Sequence, residues 1–439
     1  MIGIRREDKN RWERRVPLTP DHVAELTRRG VPVAVQPSEV RVFPDDAYRR
    51  AGARLSENLA ESDVVIGVKE VPLGKLTPGT TYAFFSHVIK GQPANMPMLR
   101  RLMDLGGTLV DYERIVDDRG RRLIFFGRHA GFAGMLDTLW ALGRRLAHER
   151  IDSPFAPIRM AHEYADLEDA HQALSRVGDE IRRDGLPPAL HPAVFGFTGS
   201  GNASRGAQEI FDLLPHEVVC PERLEDLFTN PDTPRNLLHK VVFGRGDRIR
   251  RKDGAPFDAA AFSPGDGLHE SAMARHLTRL TVLVNGVYWT PGHPPVVGPD
   301  DLAAMWSEPD PPRLRVIGDI SCDLPGSIAA TVKITTPGDP VYVYEVATGR
   351  AVPGVSGHGP VVLAIDNLPC QLPVDASQHF GDALSRFVPA IARCVWTAPF
   401  ASLRIPDEIR RAVIVHRGAL TPAYAYLGAY LAERAGRLA

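Results

Sequence analysis

Short apolar runs recur along the first part of the chain, each closed by a turn before it could complete a helix. Residues 2–4 (IGI), then VPVAVQP, DVVIGVK and TYAFFSH, are rich in β-branched or aromatic residues and predict strands. Between the first two lies PLTPDHVAELTRRG, which predicts a helix with Thr19 as its N-cap, Pro20 at the first helical position and Gly30 at its stop. Helical stretches are predicted from about Gly131 to Glu149 and from Ala161 to Arg183, before the proline-rich loop DGLPPALHP, which reads as a boundary. After it, AVFGFTGSGNASRGAQEIFDLLP runs from a strand (Ala193 to Thr198) through a glycine-rich turn into a helix. The strands TVLVNGVYW, RLRVIGDIS and VVLAIDNLP come next, and then a helical C-terminus. Strands alternating with helices define an α/β chain with mostly parallel sheets.

Composition narrows the class without naming a chemistry. A chain of 439 residues with 44% hydrophobic and 24% charged content can bury more than one core, so two or three domains are expected. A formal charge of −1 gives no global reason to expect nucleic acid or an acidic membrane surface as partner. Cys220, Cys322, Cys370 and Cys394 are widely spaced in apolar contexts and read as buried free thiols, and no metal site is expected. No run approaches the roughly 18 apolar residues of a spanning helix, and the charged start MIGIRREDKNRWERR has no leader-like apolar core. The expected location is a reducing cytoplasm.

Chemistry enters at the glycine-rich turn. Gly199, Gly201 and Gly206 lie between a strand and an amphipathic helix, the context in which a backbone can approach a pyrophosphate and present helix N–H groups to it. Their spacing departs from the usual dinucleotide fingerprint, so the turn alone is a weak signal. The next run along the chain, EVVC, ends in Cys220, Pro221, Glu222 and Arg223 rather than in a terminal acid. This tilts the cofactor toward NADP(H), with Arg223 near a 2′-phosphate, while Glu222 keeps NAD(H) open.

Ionisable residues gather where the N-terminal strands end. Lys69 and Glu70 close DVVIGV, His87 closes TYAFFS with Gln92 beyond it, and Glu113 comes after TLV. Singly, each would be a solvated loop charge; several strands ending this way suggest a pocket. Arg15 or Arg122 can grip a carboxylate with a bidentate fork, and Lys69 and His87 can act as acid and base.

The segments ERRVPLTP and GVKEVP and the His87 strand resemble the alanine dehydrogenase, transhydrogenase and saccharopine dehydrogenase superfamily. More closely, RREDKNRWERRVPLTP, TYAFFSHVIKGQPANM, FFGRHAGFAGM, FTGSGNASRGAQEIF, GDISCDLPGSI and AIDNLPCQLPVDASQHFGD resemble the lysine–ketoglutarate reductase domain of bifunctional aminoadipic semialdehyde synthases. The resemblance implies an oxidoreductase that condenses L-lysine with 2-oxoglutarate and reduces the imine to saccharopine, or runs the reverse. It implies Lys69 and His87 as the acid–base pair and Glu70 and Glu113 as tuning groups. Arg15, Gln92 and Arg122 would bind substrate carboxylates, and Phe126 would line the pocket. Gly201 and Asn202 would serve the dinucleotide turn; Asp366, Asn367 and Leu368 would lie beside the nicotinamide, and Arg121 would contact the cofactor.

The implied architecture is two Rossmann-like domains with parallel sheets and an interdomain cleft. Residues 1–138, completed by 366–439, would form the substrate domain, and 139–365 the dinucleotide domain. The module is expected to be free-standing, with a homo-oligomer and a separate saccharopine dehydrogenase left open as partners. Two rival readings remain: an enzyme for another opine-like secondary amine, and a nucleotide-binding regulatory module without turnover.

Overall fold

A computed structural model describes residues 1–308, 310 and 312–435. Its contacts divide the chain into two compact units, Met1–Phe126 together with the chain from Pro373 onward, and Gly127–Leu372. Both divisions differ from the expected breaks at 138 and 366. Helix Gly127–His148 packs along its length on helix Asn202–Phe211 and on the short 3-10 turn Leu368–Gln371, which keeps all three in the second unit.

The first unit is built on an eight-stranded sheet. Its order is Ala419–Leu420, Val413–His416, Thr108–Asp111, Thr81–Phe84, Val64–Ile66, Ile2–Ile4, Val33–Val35 and Arg54–Leu55. The six strands from the N-terminal region are parallel, and the two from the C-terminal region join antiparallel. The central strands are buried along their whole length, which explains their continuous apolar runs. Helix Pro20–Arg28 begins one residue after Thr19, and Gly30 ends its turn at φ +73°.

The second unit carries its own eight-stranded sheet, ordered Arg350–Pro353, Val341–Glu345, Val361–Leu363, Val316–Asp319, Val282–Asn285, Val194–Thr198, Leu238–Phe243 and His216–Val218. Six of these strands are parallel, and the first two form an antiparallel hairpin at one edge.

Three sequence expectations change here. The helix expected from Ala161 starts at Leu167, because Asp166 caps it by accepting from Asp169 N–H at 2.9 Å. Strand Leu238–Phe243, not foreseen, lies between the glycine-turn strand and the run that sequence order had placed beside it. Finally, Cys220 is exposed, whereas the other three thiols are buried. It lies just beyond an edge strand whose Val218 is 67% exposed, so its apolar context does not denote a core.

Candidate active site

In the first unit, paired strands bring the expected acid–base residues to one edge. Ile66 pairs with Ala83, and Phe84 with Asp111, so the segments after these strands emerge side by side. Glu7, almost fully buried, accepts from Val68 N–H (2.7 Å) and Lys69 N–H (3.0 Å) and so sets the turn that carries Lys69. Burial, and after it the nearby Arg15 and Lys9 charges, pushes the Lys69 amine below its ordinary range.

His87 adopts φ +50°, a left-handed conformation uncommon for a side chain of this size and maintained only where neighbours determine it. Three contacts do so. Its Nδ1 lies 2.6 Å from Glu70 Oε1, its carbonyl accepts from Asn95 Nδ2 at 3.2 Å, and its ring stacks on Phe85. Burial alone would raise the Glu70 carboxyl, but the hydrogen bond and charge of His87, with Lys9 in support, hold it down to about 2. Glu70 is therefore an anionic anchor for the imidazole.

The remaining expected residues of this unit divide by environment. Arg15 is only 2% exposed; its Nε and Nη2 donate to the two Glu13 oxygens at 2.7 and 2.6 Å, and its guanidinium lies 4.3 Å from the Phe126 ring centroid. The fork expected for a substrate carboxylate is thus engaged by Glu13 on that edge. Phe126 stacks on Phe380, with ring centroids 4.9 Å apart and planes within 11°. Arg122, exposed, reaches Glu113 Oε1 through Nη2 at 3.0 Å and has no second ion pair among the described residues. Glu113 N–H donates to Asp111 Oδ1 at 2.8 Å; burial, then Glu113, raises the Asp111 carboxyl to about 6. Gln92 accepts from Lys90 N–H at 3.0 Å within its own loop. Arg121 is exposed and paired with Asp117 at 2.7 Å.

In the second unit the three turn glycines separate by function. Gly199 has φ +88°, and a Cβ there would stand 2.4 Å from the Gly286 carbonyl oxygen, so this position is required by the turn itself. Gly206 does not face the turn. A Cβ on it would lie 2.2 Å from the Arg128 carbonyl oxygen, so it serves helix-to-helix packing, opposite Gly131 of the facing helix. At Gly201, the N-cap of helix Asn202–Phe211, a Cβ would meet nothing within 4 Å. Space left open before a helix N-terminus is where a bulky anion fits, so Gly201 and the exposed Asn202 suit a nicotinamide dinucleotide.

Arg223 lies beyond the edge strand and donates to Asp226 at 2.9 Å. Asp366 is exposed and Asn367 half-buried, whereas Leu368 is 1% exposed and packs in the core against Gly134. A polar network at adjacent strand ends escaped the sequence reading. Thr198 Oγ1 donates to Asn285 Oδ1 (2.7 Å), Asn285 Nδ2 donates to Asp319 Oδ1 (2.8 Å), and Thr331 Oγ1 donates to Asp319 Oδ2 (2.7 Å). Its signal was available: three apolar strands end in turn on Thr198, Asn285 and Asp319.

Residues 3–133 match the family model for the N-terminal domain of alanine dehydrogenase/PNT. The mitochondrial alpha-aminoadipic semialdehyde synthase of Bos taurus is 37% identical over 97% of this chain and 47% of its own length. The Arabidopsis thaliana synthase is 36% identical over 97% of this chain and 41% of its own length. The chain is their homologue. It spans less than half the length of either synthase. A lysine-forming saccharopine dehydrogenase of Neurospora crassa is 29% identical over 88% of this chain and 89% of its own length. Among solved structures, an L-alanine dehydrogenase superposes with a TM-score of 0.62 at 18% identity, covering 98% of this chain and 99% of that one. The synthase homology runs through both units, whereas the family model covers Arg15, Lys69, His87 and Arg122 but stops short of the glycine turn.

Proposed function

We propose that this chain is a nicotinamide-dependent oxidoreductase that joins L-lysine to 2-oxoglutarate to form saccharopine, or cleaves saccharopine in reverse. The observation that carries the reading is the half-buried Lys69 amine, its pKa lowered, at the strand edge it shares with an imidazole anchored by Glu70. A lysine whose pKa is lowered gives up its proton more readily than an exposed one, which suits it to acid–base work.

In the synthetic direction, the substrate ε-amine attacks the keto carbon, water leaves, and the imine carbon then receives a hydride while its nitrogen ends protonated. Lys69 and His87 shuttle the protons that amine addition and water loss require. Glu70 fixes the imidazole, and Arg122, exposed and with Glu113 as its one ion-pair partner among the described residues, receives a substrate carboxylate. Arg15 acts from beneath through Phe126 and Glu13. A dinucleotide held at Gly201 and Asn202 supplies the hydride when bound. NADP(H) is the favoured form, with NAD(H) as the rival.

The test tracks nicotinamide absorbance with purified protein, NADPH or NADH, L-lysine and 2-oxoglutarate, omitting each substrate in turn. Absorbance loss that requires both substrates is expected. Consumption with a different amine and keto acid, but not with this pair, would transfer the chemistry to another opine-like product. No consumption with any pair would overturn the reading.

A further inference from the structure

The position that reads the adenosine ribose is set by strand adjacency and not by order along the chain. In a doubly wound sheet, the ribose 2′ position lies over the carboxyl end of the strand beside the glycine-turn strand. Sequence order pointed to Cys220–Arg223 for that place, but His216–Val218 is the outermost strand of its sheet. The glycine-turn strand is flanked by Val282–Asn285 on one side and, on the side of His216–Val218, by Leu238–Phe243, in parallel register from Val194↔His239 to Thr198↔Phe243; the latter holds the place of the ribose-reading strand. Gly199 comes directly after Thr198, and Gly244 and Arg245 directly after Phe243, so these two turns leave the sheet next to each other.

Arg245 is exposed and makes no ion pair among the described residues; its guanidinium lies 5.8 Å from the Phe262 ring centroid. Asp247, the acid nearest in sequence, is turned back to cap its own helix, accepting from Gly244 N–H at 2.7 Å. Arg205 is a second exposed cation at this edge, in the first turn of helix Asn202–Phe211, and it too has no ion pair among the described residues. A cation at that end opposes the helix dipole, so helix stability does not account for it.

We infer that Arg245, supported by Arg205, binds the 2′-phosphate of NADP(H) and sets the preference between the two nicotinamide dinucleotides. Arg223 is not the reader. The inference rests on the nicotinamide reading above and deepens it. A guanidinium meets a phosphate dianion with two parallel N–H donors, whereas a 2′-hydroxyl offers it no charge, so removal of Arg245 should separate the two cofactors.

The experiment titrates NADPH, NADH and adenosine 2′,5′-bisphosphate calorimetrically into the wild-type chain, Arg245→Ala, Arg245→Lys and Arg223→Ala. For Arg245→Ala, NADPH and bisphosphate affinity should fall about tenfold to a hundredfold while NADH changes less than about twofold. Arg245→Lys should fall between wild type and Arg245→Ala, since it keeps the charge without the fork. Unchanged NADPH affinity in Arg245→Ala, an equal loss for NADH, or a selective loss confined to Arg223→Ala would overturn the assignment. Tighter binding of NADH than NADPH by the wild-type chain would overturn it as well. If the wild-type chain binds neither dinucleotide, the nicotinamide reading itself fails, and that result is distinct from the others.

Discussion

Both units are parallel α/β sheets, yet their strands end in different chemistry. In the first, Lys69, Glu70 and His87 lie just beyond the strands and Asp111 ends one; three of the four have displaced pKa values, and His87 Nδ1 lies 2.6 Å from Glu70 Oε1. In the second, the strand ends Thr198, Asn285 and Asp319 are tied into one buried hydrogen-bonded network, and the turn beyond Thr198 carries Gly199 and Gly201. Under the proposed function, one scaffold serves two tasks according to the residues that close its strands and form the turns beyond them. On that reading the ionisable groups of the first sheet move protons, and the glycine turn of the second accommodates an anion without proton exchange.

The sharpest way to break this division is the pair Lys69→Met with His87→Ala. Turnover should fall about a hundredfold to ten-thousandfold, while NADPH affinity by direct titration stays within about twofold. Retained turnover would remove the proton chemistry from the first sheet. Next in size is Gly206→Val, whose new Cβ would sit 2.2 Å from the Arg128 carbonyl oxygen. A loss of about 3 kcal/mol, read from the denaturant midpoint, is expected from such overpacking; an unshifted midpoint would place Gly206 back in the ligand turn.

A pH series probes the interior of the second unit. Burial raises the Asp137 carboxyl from 3.8 to about 7. The folded chain then holds this proton more tightly than the unfolded one. Its stabilisation is complete below the unfolded pKa and is lost as pH rises through the folded one. The slope approaches about 1.4 kcal/mol per pH unit between these values. Asp137→Asn should flatten the stability curve over that range, and a variant curve parallel to wild type would contradict the assignment. The smallest effect is expected at Gly201→Ala. Stability should move by less than about 0.5 kcal/mol, because the added Cβ meets nothing within 4 Å. Dinucleotide affinity should nonetheless drop about tenfold. Unchanged affinity would show that the open space at Gly201 is not where the pyrophosphate sits.

Legibility in the sequence tracked burial. Strands such as Thr81–Phe84 and Val194–Thr198 are covered on both faces, so they stand out as apolar runs and were foreseen within a few residues. Leu238–Phe243 was missed because His239 and Lys240 interrupt it. Both are buried and answered from nearby elements, His239 by Glu217 at 2.9 Å and Lys240 by Asp212 at 2.6 Å. Glu7 was passed over for the same reason: within RREDKNR it looks like one more solvated charge, although it is buried against Arg5 and raised to about 7.

What the sequence determined by itself was the kind of element at each position and the residue types that close each strand, since both depend on local pattern and steric preference. Tertiary structure alone decided adjacency. It set which carboxylate anchors His87, which residue occupies the fork of Arg15, which glycine faces open space, and which strand lies beside the glycine turn. These are contacts between residues far apart in the chain, made when apolar faces are buried together, and no spacing along the sequence encodes them.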